Sequence, residues 1–175
     1  MPLPVMQSDF SKSSNRGRTF AWLQLMRLPN VFTAVADVAM GYLVTHRNLE
    51  PPAHFALLVV ASCLLYLSGM VLNDVFDTDV DAREQPTRPI PSGRITQRAA
   101  AVVGWAMLTS GALVAWFASF VTSDWRPGAV ATILAACILL YNRVLKHTPV
   151  APLAMGACRA LNVLLGMTLA QPDGL

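Results

Sequence analysis

Asn73-Asp74-Val75-Phe76-Asp77-Thr78-Asp79-Val80-Asp81, followed by Arg83, Arg88, Arg94 and Arg98, lies between two long apolar segments. Charge at such a place is costly unless it binds something. On a helix continuing out of the preceding segment, positions 74, 77 and 81 share one face, and Asp79 falls off it. Three crowded carboxylates repel one another, which is tolerable mainly around a hard divalent cation. Oxygen donors without His or Cys nearby suit magnesium, which keeps its remaining positions for water and phosphate. Guanidinium groups bind phosphate oxygens bidentately, and Pro86, Pro89, Pro91 and Gly93 stiffen the loop carrying Arg88 and Arg94. Carboxylates for a metal beside arginines for phosphate make a diphosphate site. The competing reading is a solvated, salt-bridged loop that only sets topology.

Outward from this stretch the composition is that of a helical membrane protein. Apolar residues make up 54% and charged residues 13%, against roughly 25% charged in soluble domains. The apolar residues come in blocks, not in period-two alternation. The expected fold is all-α, a multi-span transmembrane bundle. Its spans are Leu28 to Val44 after an amphipathic lead-in from Phe20, Ala53 to Leu72, Ala99 to Val121, Gly128 to Leu145, and Val150 to Ala170. Residues 1–19 are polar, with no apolar core, and read as a disordered cytoplasmic tail ahead of one membrane domain over 20–175.

Of the 13 Lys and Arg residues, all but Arg47, Arg126 and Arg159 fall on the side of the Asp-Arg loop. The positive-inside rule makes that side, and the N-terminus, cytoplasmic. The expected location is an integral protein of a bacterial inner membrane. The modest positive charge is tied to these loops, so no nucleic-acid surface is expected. Cys63, Cys137 and Cys158 lie within apolar segments without paired spacing and read as packing residues. His46, His54 and His147 read as surface or interfacial, and Tyr66 and Phe76 as packing. Asp37 and Arg159 are charges in mid-span, which either face a cavity or pair with each other.

Asn73-Asp74-x-x-Asp77-x-x-x-Asp81 followed by Arg88-Pro89-Ile90-Pro91-Ser92-Gly93-Arg94 resembles the first aspartate-rich motif of the UbiA superfamily of intramembrane prenyltransferases. Arg27-Leu28-Pro29-Asn30, Tyr141 to Lys146, and Gly156 to Asn162 match further patterns of that family. The resemblance implies a helical bundle around a cavity that opens to lipid, with the metal site at its cytoplasmic mouth. It implies that Asp74, Asp77 and Asp81 hold Mg2+ on an isoprenyl diphosphate and that Asn73 supports them. Arg88, Arg94 and Lys146 would contact phosphate, and Arg27, Asn30, Tyr141, Arg159 and Asn162 would line the cavity. Family members have about nine spans and a second aspartate-rich motif. Only Asp124 and Asp173 follow the first motif here, so the domain is expected to be incomplete at its C-terminus.

The expected function is transfer of an isoprenyl group from its diphosphate to a small-molecule, aromatic acceptor within the membrane lipid. The alternative is a non-catalytic membrane protein that binds a prenyl diphosphate for transport or assembly with a partner. A homo- or hetero-oligomer would cover the cavity-lining polar groups that five spans leave open.

Overall fold

The computed structural model describes residues 8–46 and 48–169, with side chains from residue 17 onward. Arg47 and Asp173 therefore lie outside the described residues. Among the described residues seven α-helices follow in order: α1 (Ser8–Leu25), α2 (Val31–His46), α3 (Pro52–Phe76), α4 (Thr78–Glu84), α5 (Gln97–Thr122), α6 (Arg126–Arg143) and α7 (Ala151–Met167). The sequence marks most of their starts. Pro stands in the first turn of α3, α6 and α7, where its missing N–H costs nothing. The Thr96 hydroxyl caps α5 by accepting from the Ala99 amide at 3.2 Å.

At the N-terminus one difference is that residues 8–19 are helical, as part of α1. After Pro4 no proline occurs before Pro29, so nothing in the sequence stops the amphipathic lead-in from extending backwards as a helix. The helix ends at Leu25; two residues on, Arg27 has a left-handed backbone (φ 48°, ψ 45°), and a short 3-10 turn at Leu28–Asn30 leads into α2. A second difference falls within the acidic stretch. α3 ends at Phe76 and α4 begins at Thr78, with Asp77 between them at φ −93°, ψ 4°. Hydrogen bonds from Asp77 N to Asn73 O and from Asp81 N to Asp77 O carry the helical spacing across this break.

Five helices run back and forth between two ends of the molecule and close a ring in the order α2, α3, α5, α6, α7, with α3 also touching α6. Leu58, Leu65, Leu72, Leu134 and Leu165 fill its interior. The outward faces are also apolar: Phe32, Val102, Leu113, Phe120 and Leu153 are all more than 60% exposed. A water-soluble protein of this size would not present such a belt, and lipid is its natural solvent. The chain is an integral membrane protein. By length and composition three helical segments among the described residues could cross a bilayer: Gly17–His46, Pro52–Phe76 and Gln97–Thr122. α7 is apolar but only 17 residues long, and α6 has Arg126, Pro127, Asn142 and Arg143 at its ends, so each follows the same course with a shorter apolar core.

Between helices in lipid the hydrophobic effect contributes little, and close packing and buried polar pairs hold the bundle. α2 and α7 meet through Gly41 and Gly166, where a side chain on either would strike the backbone of the other helix. Ser62 Oγ donates to Asn162 Oδ1 at 2.8 Å, tying α3 to α7. Asn142 Nδ2 donates to Gly69 O at 2.9 Å, tying α6 to α3. At the end away from the Asp-Arg loop, His46 stacks on Tyr42 with ring centroids 3.9 Å apart and bonds to Leu169 O at 2.7 Å. His46 is thus a packed link between α2 and the end of α7, not a surface histidine.

Candidate active site

Helix ends bring the charged residues together. The end of α3, the start of α4, the 3-10 turn at Leu145–His147 after α6, and the α1–α2 junction all lie at one end of the ring. The loop after α4 is itself folded. Pro89 is fully buried, and Ile90 and Ile95 pack with Ala21 and Leu25 of α1, Val71 and Val75 of α3, and Ala100 of α5. Gly93 supplies the positive φ (74°) at which the loop turns back. This apolar plug fixes where Arg88 emerges.

Arg88 Nη1 lies 2.6 Å from Asp81 Oδ2 and 3.7 Å from Asp74 Oδ1, between the two carboxylates. Arg27 reaches Asp74 from the other side, Nη2 to Oδ1 at 3.2 Å. The left-handed backbone at Arg27 turns the chain between α1 and the 3-10 turn, at the junction from which this arginine meets the acidic stripe. Lys146 Nζ donates to Asp77 Oδ1 and stands 3.4 Å from Asn73 Oδ1. His147 Nε2 is 4.0 Å from the same Asp77 oxygen. Burial opposes the charge on Arg88, but its hydrogen bond to Asp81 and the nearby charges of Asp74, Asp81 and Asp77 outweigh it and raise its pKa above the ordinary arginine value.

The acidic stripe is therefore split. Asn73 and Asp77 face Lys146, whereas Asp74 and Asp81 face Arg88. No group of three or more His, Cys, Asp or Glu side chains converges on a point suited to a metal among the described residues. The carboxylates of Asp74, Asp77 and Asp81 and the amide of Asn73 offer oxygen donors, and Arg88 and Lys146 already place a positive nitrogen on them. Oxygen donors of this kind are the chemical type that a hard ion such as magnesium takes.

Below this mouth is a cavity of about 400 Å³ between α2, α3, α6 and α7. Arg27, Asn30, Tyr141, Arg159 and Asn162 all line it, and so does Asn73. Ala34, Met70, Leu134 and Ile138 supply its apolar wall. Arg27 and Asn73 belong to both cavity and mouth. Arg159 and Asp37 meet in the wall, Nη2 to Oδ1 at 2.9 Å and Nε to Oδ2 at 3.3 Å, so the two mid-span charges both face the cavity and pair.

Arg94 donates from Nη2 to Thr87 O at 2.6 Å and from Nε to Ser92 Oγ at 3.0 Å, so it staples its own loop. Nothing in the local sequence separates it from Arg88; the turn at Gly93 does. Tyr66 was read as packing but lines the cavity. A signal for it existed, since it precedes Asn73 by two helical turns and so shares its face. Phe76 packs against the core, as expected.

An all-helical integral membrane bundle with an acid-and-cation mouth over an apolar cavity is the class that fold and site define. Residues 34–174 match the UbiA prenyltransferase family, and the chain belongs to it. The chain is 33% identical over 155 residues to digeranylgeranylglyceryl phosphate synthase of Methanothrix thermoacetophila, covering 87% of this chain and 56% of that protein. The synthase of the same name from Methanoculleus marisnigri is 32% identical, covering 74% of this chain and 44% of that protein. A solved structure concerned with digeranylgeranylglyceryl phosphate synthase in membranes shares the fold, with a TM-score of 0.79 at 24% identity over 88% of this chain and 54% of that one. The chain thus spans about half the length of the relatives it matches.

Proposed function

We propose that this chain binds an isoprenyl diphosphate with magnesium at the Asp-Arg mouth and takes part in transferring the isoprenyl group to an acceptor. The observation that carries the proposal is the meeting of Asn73, Asp74, Asp77 and Asp81 with Arg27, Arg88 and Lys146 directly above an apolar cavity. A diphosphate suits the charged mouth and a hydrocarbon tail suits the cavity. Asp74, Asp77 and Asp81, with Asn73, would hold the ion, which when bound offsets the negative charge that builds on the departing diphosphate.

The chain's own cations do the rest of the electrostatic work. Arg88 and Lys146 bind phosphate oxygens and stabilise the leaving group, and Arg27 adds charge from the α1–α2 junction. Tyr66 and Tyr141 line the cavity, and aromatic rings there would stabilise an allylic cation. Ala34, Met70, Leu134 and Ile138 exclude water that would capture such a cation. The names of the relatives bring a glyceryl phosphate lipid forward as acceptor, in preference to an aromatic acid.

A labelled allylic diphosphate should bind the purified protein in the presence of magnesium, and glyceryl phosphate and aromatic acceptors can then be compared for transfer. No binding would remove the proposal. Binding without transfer to either acceptor would favour the non-catalytic alternative. The mouth is assigned to the cytoplasm, where soluble diphosphates are supplied, and the cation bias of the loops supports this side. In a cysteine-free background, Glu84→Cys should react with an impermeant maleimide only from the cytoplasm and Ser123→Cys only from the opposite face. The reverse pattern would invert the topology.

A further inference from the structure

We infer that Arg159 is the residue by which the cavity takes the acceptor: its guanidinium binds an oxyanion on that molecule, a phosphate ester or a carboxylate, while Asp37 positions it. This rests on the transfer reading above and adds the chemical class of the acceptor. Arg159 and Asp37 both line the cavity, but the side chain of Arg159 is 66% exposed and that of Asp37 only 9%. The other polar link from α7, Asn162 with Ser62, is buried on both sides. A guanidinium open to a cavity at mid-span is costly, and such charges mark places where a polar or anionic ligand is held. Asp37 occupies one edge of it only. Its oxygens accept from Nε at 3.3 Å and from Nη2 at 2.9 Å, and no other acceptor meets Arg159 among the described residues. The edge between Nη1 and Nη2 is left over, and it is a fork that carboxylate or phosphate oxygens take two at a time.

The place is separate from the mouth. α2 and α7 both start at the mouth end, with Asp37 six residues beyond Val31 and Arg159 eight beyond Ala151. At the rise of an α-helix the pair is thus roughly 9–12 Å deep. A diphosphate held by Arg88 and Lys146 does not reach so far, so an anion on Arg159 belongs to a second molecule. An acceptor anchored there directs the rest of its length, with the atom that attacks, back towards the diphosphate. Asp37 does not repel such a ligand strongly. It holds the opposite edge of the guanidinium, so an oxyanion on the free fork lies farther from the carboxylate than from the cation, and attraction exceeds repulsion. With the fork empty, the carboxylate offsets the cost of the mid-span cation.

Equilibrium binding to the detergent-purified protein, with MgCl2 and pyrophosphate filling the mouth, tests this with two pairs of probes. One sets a monoalkyl glyceryl phosphate against the monoalkylglycerol, and the other sets para-hydroxybenzoate against its amide. In one pair the charged member should bind at least about tenfold more tightly than its uncharged partner, and the pair that responds tells a phosphate acceptor from an aromatic acid. Arg159→Gln should abolish the preference, and Arg159→Lys, a cation without the fork, should restore it only in part. Both should change the affinity for a labelled allylic diphosphate far less. Arg159→Gln leaves Asp37 without its partner, so Asp37→Asn combined with Arg159→Gln, a neutral pair of similar shape, serves where the single variant does not fold. A merely structural pair would leave the preference intact in that double variant. No preference for either charged probe, an unchanged preference in the double variant, or sodium phosphate binding as tightly as the acceptor probes would overturn the inference and leave the diphosphate mouth standing. Failure of the wild type to bind the labelled allylic diphosphate would instead remove the transfer reading on which the inference rests.

Discussion

Asp77→Asn is expected to weaken binding of an allylic diphosphate in magnesium by about a hundredfold, roughly 3 kcal/mol, and to reduce transfer by at least as much. Asp77 sits at the break between α3 and α4, and its carboxylate takes the Lys146 ammonium beside Asn73, an amide that also lines the cavity. An amide at position 77 keeps the shape but removes the charge that places Lys146 and the charge that would hold a metal ion. The side chain of Lys146 is almost wholly sheltered, so it would keep its own charge with only half the local compensation. Asp79→Asn is the control, because Asp79 is exposed and lies off the stripe. Equilibrium binding with a radiolabelled diphosphate reads both variants. Equal affinity of Asp77→Asn and wild type would end the assignment of this carboxylate to the site.

The second large effect is structural. Gly166→Val should destabilise the bundle by roughly 3 kcal/mol or more, because the new side chain would run into the Val38 carbonyl of α2 and backbone cannot move aside as a flexible side chain can. Gly41 meets the Val163 carbonyl in the same way from the opposite helix. These two glycines set the distance between α2 and α7, and the Asp37–Arg159 pair spans the same two helices further towards the mouth. Loosening the contact should therefore also lower diphosphate binding, although neither glycine lines the cavity. Gly156→Ala, on an exposed part of α7 with open space around it, should be neutral or slightly stabilising. Unfolding in mixed detergent micelles, followed by far-UV circular dichroism, separates the three proteins. A Gly166→Val variant as stable as wild type would refute the close crossing.

The helices were legible because their signals are local. Apolar blocks of membrane length, proline in first turns and polar junctions place α2, α3, α5, α6 and α7 within a few residues of their observed limits. α1 was less legible, since a polar composition does not tell a surface helix from a tail. The acidic stripe was legible for the same reason as the spans: residues three, four and seven apart share a face on any helix. The break at Asp77 was not, because Val75, Phe76 and Thr78 carry no glycine or proline to announce it.

The sequence by itself determined an all-helical membrane protein, with carboxylates and cations gathered at the end of its second long helix. Periodicity and charge along one helix suffice for that, because they act between residues a turn or two apart. Only the tertiary structure decided which charges meet. Lys146 lies 69 residues from Asp77, Arg27 lies 47 from Asp74, and Arg159 lies 122 from Asp37, and no local pattern encodes such partnerships. They follow from the order in which five helices close the ring and from the glycine contact that sets α7 against α2. The same reasoning accounts for Arg94, whose type and spacing match a phosphate ligand while the fold of its own loop turns it onto Thr87 and Ser92.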